Sequence, residues 1–546
     1  MLRPASRSGR RADHGEGLTA MAVATTPDVG PVLARHHTRR TPLLVGSSLV
    51  VVAALLLPLV FLLVQAAQVG WGNVSRLLFR HLTGVLLWNT VRLAVVVTLA
   101  SAVIGTGAAW ATERTNLPGR RTWAVLIVLP VAIPDFVIAS GWVSVAPSLH
   151  GLAGAALVLT LGLYPLVYLP VAASFRSADP AQEEVSRSLG MGPVQTFWRV
   201  SLRHARLALF GGCLLVALYL LAEYGAFAIL RYQTFTTEIF TEFQHGFTPT
   251  AAALSLVLVT LGLVVLAGEA VASRVGLQGR PQPRARTVTR TRLGRATAPV
   301  VAGMATLVGL GVGVPVGAIC YWLASSQRTS LPAASSLADA ALHTAVYSSS
   351  AAALATLMAL PVAILAVRHR GRVAFVLERT SLLVQALPGL VIALALVYFS
   401  VRYARFTYQS AALLVAAYAV MFFPLALVAL RASVARVPPG LQEVARSLGR
   451  RPVSVLWRVT LPLVLPGLLA AFCLVFLTAV TELTATLVLV PTGVQTLATQ
   501  FWAYSSDLAY AAAAPFAAAM LGVAVVPTYL LGRWFDRLPS RTSIPT

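Results

Sequence analysis

The segment EVSRSLGMGPVQTFWRVSLRHARLAL occupies residues 184–209, and EVARSLGRRPVSVLWRVTLPLVLPGL occupies 443–468. The two align without a gap at an offset of 259 positions, with 13 of 26 residues identical. At the same offset AEYGAFAIL (222–230) falls on TELTATLVL (481–489), and Leu129-Pro130 pairs with Leu387-Pro388 one position out of step. The chain therefore reads as two copies of one unit. Both polar segments follow long apolar runs, so the strongest internal similarity lies in a loop. Loops ordinarily diverge faster than the elements they join, and a loop kept in both copies implies a partner that holds it.

Working outward, the 546 residues are 57% hydrophobic and 11% charged, with mean hydropathy +0.78. A soluble domain carries roughly 25% charged residues, so a water-soluble enzyme, a disordered scaffold and a disulfide-rich secreted module are excluded. A β-barrel would show short alternating segments, whereas these runs are long and continuous. At about 20 residues per crossing, candidate spans fall at 42–65, 86–112, 123–146, 151–175, 208–231, 250–272, 297–323, 341–367, 375–400, 409–431, 464–490 and 511–531. The expected fold is an all-α polytopic membrane protein of about twelve transmembrane helices. Its two six-helix halves, 42–272 and 297–531, would be related by a parallel pseudo-twofold axis along the membrane normal, with a pathway between them.

The basic residues set the orientation. All 42 are arginine, and 35 of them fall in 1–41, 113–122, 176–207, 273–296, 368–379, 431–463 and 532–546. The alternate loops hold only Arg76, Arg80, Arg231, Arg328, Arg402 and Arg405, and Arg92 lies inside a span. This strict alternation is the positive-inside pattern. It makes both termini cytoplasmic in a bacterial inner membrane and offers nucleic acid no contiguous basic face. Residues 1–41 read as a disordered, Arg-rich tail with Met21 as an alternative start. Residues 273–296 read as a cytoplasmic linker, and 532–546 as a second tail. Without lysine no Walker A loop is possible, so ATP and Mg belong to another polypeptide and the chain is no enzyme. Cys213, Cys320 and Cys473 have no partner at metal-ligand spacing and read as buried small hydrophobes.

Within the repeated loops (176–207 and 432–463), Val185 and Leu189 share one helical face. Glu184 near the helix start suits the positive end of the dipole. Gly190 stops the helix in the left-handed conformation, and Pro193 opens a second short helix continued by Val194, Phe197 and Trp198. The second copy supplies Glu443, Val444, Leu448, Gly449, Pro452, Val453, Leu456 and Trp457. A helix–tight turn–helix on the cytoplasmic face is the expectation.

The pattern E-x-x-R-S-L-G, a spacer, then W-R-V-x-L-P resembles the EAA loop of type I ABC importer permeases. Two copies in one chain resemble the fused permeases of the ferric-iron and thiamine branch. The second copy is the closer match, with Leu461-Pro462 and Gly467 where the first has Leu202-Arg203 and Ala208. The resemblance implies that Glu184, Leu189, Gly190, Pro193, Trp198 and their counterparts Glu443, Leu448, Gly449, Pro452 and Trp457 shape two docking elements. These would receive two copies of a cytoplasmic ABC ATPase. It also implies a periplasmic or lipid-anchored solute-binding protein, alternating access, and no cofactor bound by this chain. Segments 221–243 and 481–502 resemble the ferric-iron permeases more than the thiamine or phosphonate ones. Iron(III) is the expected cargo, with thiamine, phosphonate, a polyamine or another small solute as alternatives.

Three acids fall inside apolar surroundings. Glu223 and Glu482 occupy equivalent places in the fifth spans, and a carboxylate facing lipid there costs several kcal/mol, with about 2.5–3.5 on insertion scales. Both are expected to face protein or the pathway, where they offer oxygen to transient Fe(III); the alternative is that each bonds a neighbouring helix. Asp135, in LPVAIPDFVIASGW, is a third pathway candidate, with Ala393 at its counterpart position. Pro130, Pro134 and Pro388 near the starts of the third spans suit a broken helix lining a cavity. Glu238 and Glu242, spaced i, i+4 in an outer loop, suit a solvated face or a docked binding protein. The competing reading is a gradient-driven secondary transporter of twelve spans, whose basic loop after the second span ordinarily contains Asp; here that loop is ERTNLPGRR.

Overall fold

The computed structural model describes residues 42–274, 290–325, 331–368, 371–450 and 452–536. The expectations for the tails and for most of the linker lie outside these residues. Helices stand at all twelve expected positions. Among the described residues nine helices are continuous, long and apolar enough to cross a membrane, and two bent pairs raise the number to eleven. The last helix, Tyr510–Asp536, contributes a shorter apolar stretch at Tyr510–Ala524.

The third span of each half is broken, as the prolines suggested, but the alignment of the breaks differs from the sequence reading. Arg120–Ala132 and Asp135–Val145 meet at 93°, and Arg372–Ala386 and Gly389–Tyr403 meet at 103°. Pro134 and Pro388 occupy the same place, each immediately before the second helix with φ near −58° (−57° and −59°). The preceding residues, Ile133 and Leu387, are extended, because a residue before proline is pushed out of the α region. Pro388 thus corresponds to Pro134, not Pro130, and the counterpart of Asp135 is Gly389, not Ala393.

A second correction concerns the fifth spans. The sequence suggested continuous helices through 231 and 490, whereas Val194–Ala222 and Trp457–Val480 end earlier. Short helices Gly225–Ile229 and Thr484–Leu489 follow each break. Glu223 and Glu482 therefore stand at breaks, not inside helices.

The halves interlock. In one core, Leu55 and Leu62 of the first span join Leu390, Val391, Leu427 and Leu430 of the second half. In the other, Met304 and Ile319 of the seventh span join Val137, Leu159 and Val167 of the first half. Each half thus lends its first span to the opposite core. Close approach relies on small residues, as helix association in lipid requires. A Cβ at Gly105 would lie 2.8 Å from the Tyr164 carbonyl oxygen, and one at Gly141 would lie 2.9 Å from Pro315 Cα. A buried hydrogen bond of 2.8 Å between Ser140 and Ser505 ties the halves across their interface. The cysteines are less buried than their sequence surroundings suggested: Cys213 and Cys473 are half-buried and Cys320 is exposed, since one side of each span faces outward.

Candidate functional site: two coupling loops and a carboxylate cluster

The first loop begins with Asp179, whose side chain accepts a hydrogen bond of 3.0 Å from the Ala181 amide and caps the helix Pro180–Ser188. Glu183, not Glu184, occupies the first turn. Glu184 is exposed further along, so the dipole argument transfers to its neighbour. Gly190 terminates the helix at φ 81°. The Met191 amide reaches back to the Ser186 carbonyl at 3.2 Å, the six-to-one closure of a Schellman end. Pro193–Thr196 opens the second helix and runs into a π-turn over Phe197–Ser201. A Ser186–Thr196 hydrogen bond of 3.0 Å staples the two helices.

The second loop repeats this plan. The helix Pro439–Ser447 contains Glu443, whose side chain lies outside the described residues. Gly449 has φ 76°, and the Arg450 amide reaches the Ala445 carbonyl at 3.2 Å. Pro452–Val455 then continues into a π-turn over Leu456–Thr460. The expected helix–turn–helix is present in both halves.

What each loop presents is apolar. Leu189 and Leu448 are 72% and 75% exposed, and Trp198 and Trp457 are each 64% exposed. Val185, Val194, Leu441 and Val444 are exposed beside them. Leucine and tryptophan are thus exposed in matching places on two equivalent protrusions, and exposed apolar patches of this kind are where proteins commonly meet partners.

Near the centre, Glu223 and Glu482 act alike. Glu223 Oε1 accepts from the Ala226 amide at 2.8 Å, and Glu482 Oε1 accepts from the Ala485 amide at 3.0 Å. Each caps the short helix that follows it, and each remains half-buried. Their backbone carbonyls, freed by the breaks, accept hydroxyl hydrogen bonds of 2.6 Å from Thr236 and Thr486. The two loops touch: a Cβ at Gly225 would lie 2.8 Å from Leu483 Cδ2 and 2.9 Å from Phe136 Cβ.

Asp135 opens the helix after the first-half break and is buried, with Oδ2 unpartnered. Tyr219 lies within electrostatic reach of Asp135, Glu223 and Glu482. The structure thus gathers all three sequence-selected acids around one phenol. Tyr219 itself escaped the sequence reading. Its signal was its place one helical turn before Glu223, where the other half has Thr478. Among the described residues no group of three or more His, Cys, Asp or Glu side chains is close enough to hold a metal ion. Glu482 also borders a crevice lined by Thr344, Ser348, Tyr418 and Thr496.

Glu238 lies in the helix Phe235–Gln244, away from this cluster. Burial first, and then the neighbouring Glu242, hold its carboxyl above the ordinary glutamate range, with Arg80 and His245 opposing.

Known proteins share this construction. The sequence pattern described as the inner membrane component of binding-protein-dependent transport systems matches twice, at residues 101–275 and 353–541. The Fe(3+)-transport system permease protein FbpB 2 of Haemophilus influenzae is 37% identical over 487 residues, covering 88% of this chain and 96% of that protein. The sulfate transport system permease proteins CysW of Synechocystis and CysT of Escherichia coli are 30% and 28% identical over 201 and 244 residues. Those matches cover 32% and 40% of this chain and 72% and 88% of the respective relatives, as expected if each aligns with about one half. Two loops of one design, two breaks of one design and two matches to one family lead to the same place: this chain is a multi-pass membrane permease of the type I ABC importer class and belongs to the family of inner membrane components of binding-protein-dependent transport systems, with two family units fused in one polypeptide.

Proposed function

We propose that this permease admits iron(III) across a bacterial inner membrane, driven by two copies of a separate ATPase and supplied by a solute-binding protein on the outer side. The observation that carries the cargo is the equivalent placement of Glu223 and Glu482 at the two breaks, within reach of Tyr219 beside Asp135. Hard Fe(III) favours oxygen ligands, an extension of the softness rule, and four oxygen-bearing side chains offer successive handholds. A sulfate-like anion would meet like charge there, which weighs against the cargo named for the shorter relatives. The 37% identity to a permease named for Fe(3+) transport supports the same choice.

In this reading the exposed apolar faces at Leu189 and Trp198, and at Leu448 and Trp457, seat in the ATPase subunits. Closure of those subunits moves the loops, and the π-turns at Phe197–Ser201 and Leu456–Thr460 pass the motion to the fifth spans, whose far ends carry Glu223 and Glu482. The test is labelled-iron uptake in vesicles holding the complete transporter. Glu223→Gln with Glu482→Gln keeps the amide-accepting oxygen of each cap and removes only the charge. Uptake is expected to vanish while basal ATP hydrolysis continues; unchanged uptake would assign both residues to helix capping alone. A photocrosslinker at Ser188 or Ser447 is expected to capture the ATPase, and its failure at both loops would remove the docking role. Gradient-driven flux without any ATPase would favour the secondary transporter instead.

A further inference from the structure

Arg92 and Arg231 stand apart from everything assigned above. On the side of the molecule opposite the repeated loops they line one open cleft of about 640 Å³, together with Asn89, Gln233, Thr237 and Thr241. Among the described residues no carboxylate lines it. Neither arginine forms an ion pair among the described residues, and Arg92 Nε is buried without a hydrogen-bond partner. A charged side chain in a span with a buried nitrogen left unpartnered is costly and marks function by default.

The second half shows that the fold does not require these charges. Asn89 and His343 perform one job, bonding the carbonyls of Gln233 and Gln495 at 3.2 and 3.1 Å. Thr90 and Thr344 likewise accept from the amides of Phe235 and Leu497. In that register Arg92 corresponds to Val346, and Arg231, two residues before Gln233, corresponds to Gly493. Both backbones there are left-handed, Gly493 at φ 82° and Arg231 at φ 52°. Glycine adopts this conformation freely, whereas a residue with a side chain holds it at a cost, and such strain gathers at functional positions. The first half accepts that strain to aim a second guanidinium into the cleft.

The exposed stripe of the helix His81–Arg114 indicates what the cleft faces. Trp88, Val95, Leu99 and Val103 are all exposed along it, with Arg92 on the same stripe. Arg92 lies about 16 Å along the axis from His81 at 1.5 Å per residue, one turn beyond Trp88. Tryptophan favours the membrane–water boundary, which puts the arginine within snorkelling distance of it. Two guanidinium forks in a polar cleft at that depth match the oxygens of a phosphate.

We propose that Arg92 and Arg231 form a phosphate-binding site at the outer rim of the first half, taking a phosphate group from either an anionic lipid head or free phosphate. The full-length chain, purified in detergent, is titrated in two arms while thermal unfolding is followed. One arm adds phosphatidylglycerol against a phosphatidylcholine background, and the other adds inorganic phosphate at constant ionic strength. A saturable rise in Tm of several degrees is expected in one arm. A rise with phosphatidylglycerol alone identifies the lipid, and a rise with inorganic phosphate identifies the free anion. In the double variant Arg92→Gln with Arg231→Gly the rise should fall at least tenfold in apparent affinity; glycine relieves the left-handed strain, so this variant is expected to fold. Arg402→Gln with Arg405→Gln, on the corresponding side of the second half, should leave the response intact. No saturable rise in either arm, an undiminished rise in the double variant, or an equal loss in the control pair would overturn the proposal.

Discussion

The two halves solve the same attachment differently where the second span meets the repeated loop. In the first, Arg114 is 2% exposed and faces Glu183 at 3.5 Å, while Ser201 donates to Glu183 at 2.7 Å and Arg187 stands 3.9 Å away. The end of the inter-half linker is stitched to the same place: the Thr291 amide donates to the Arg114 carbonyl at 2.9 Å, and Arg187 donates to the Thr291 hydroxyl at 2.9 Å. In the second half Arg368 donates to the carbonyls of Val437 and Val434 at 2.7 and 3.4 Å, and Gln442 stands where Glu183 does. One loop is clamped by buried charge and by the linker; the other is held through the backbone. A duplicated chain can thus keep two similar loop shapes while holding them by unequal contacts.

The same inequality recurs at the membrane centre. Asp135 fits because residue 162 is glycine, and any side chain there would collide with Asp135 Oδ1. In the other half the sizes are exchanged: Gly389 stands in the place of Asp135, and Met421, which is 259 positions after Gly162, fills the space that Gly389 leaves. The same contact is filled from opposite sides by different chemistry, so the acid cluster is lopsided toward the first half.

Breaking the clamp should have the largest effect. Arg114→Met leaves Glu183 buried with one fewer cation, and removing one partner of a buried pair costs about 3–5 kcal/mol. Arg368→Met gives up charged hydrogen bonds to carbonyls, about 1.5–3 kcal/mol. Equilibrium unfolding in mixed micelles is expected to rank them in that order, and equal losses would erase the distinction between the loops. Transplanting the second half's solution into the first comes next. Gly162→Met alone should overpack against Asp135 by about 1–3 kcal/mol, and adding Asp135→Gly should restore stability without restoring transport. Recovery of uptake in that double variant would show that the lopsided acid is dispensable.

At the loops, Gly190→Val and Gly449→Val force left-handed backbone on a β-branched residue, at about 1–2 kcal/mol each. Both should insert normally and lower coupled transport, with the clamped first loop the less able to relax. Ser140→Ala removes one buried hydrogen bond between halves, about 1 kcal/mol, and the same loss is expected from Ser505→Ala. Glu238, whose counterpart is Gln500, gives the smallest effect. Its raised carboxyl value means that ionisation is disfavoured in the folded state. Stability should therefore fall slightly as pH rises from the ordinary glutamate value, about 4.3, through the raised one. Glu238→Gln should flatten that slope, and because the side chain is partly exposed the change should be small.

Much of this was legible in the chain itself. The repeat at 184–209 and 443–468, the glycine stops, the prolines and the apolar runs are local signals, and each is set by backbone sterics or by the price of polar groups in lipid. They determined two fused units, helices at twelve positions, two helix–turn–helix loops and broken third spans. Tertiary structure alone decided the rest. Pairing Pro134 with Pro388 required seeing which peptide bends, because a four-residue shift between copies leaves each sequence equally plausible by itself. The break at Glu223 depended on the hydroxyl of Thr236, 13 positions on, arriving to satisfy the freed carbonyl, and the Arg114–Glu183 contact joins residues 69 positions apart. Periodicity and composition report what a segment prefers within a few turns; which distant group completes a hydrogen bond or fills a missing side chain is fixed only when the helices pack.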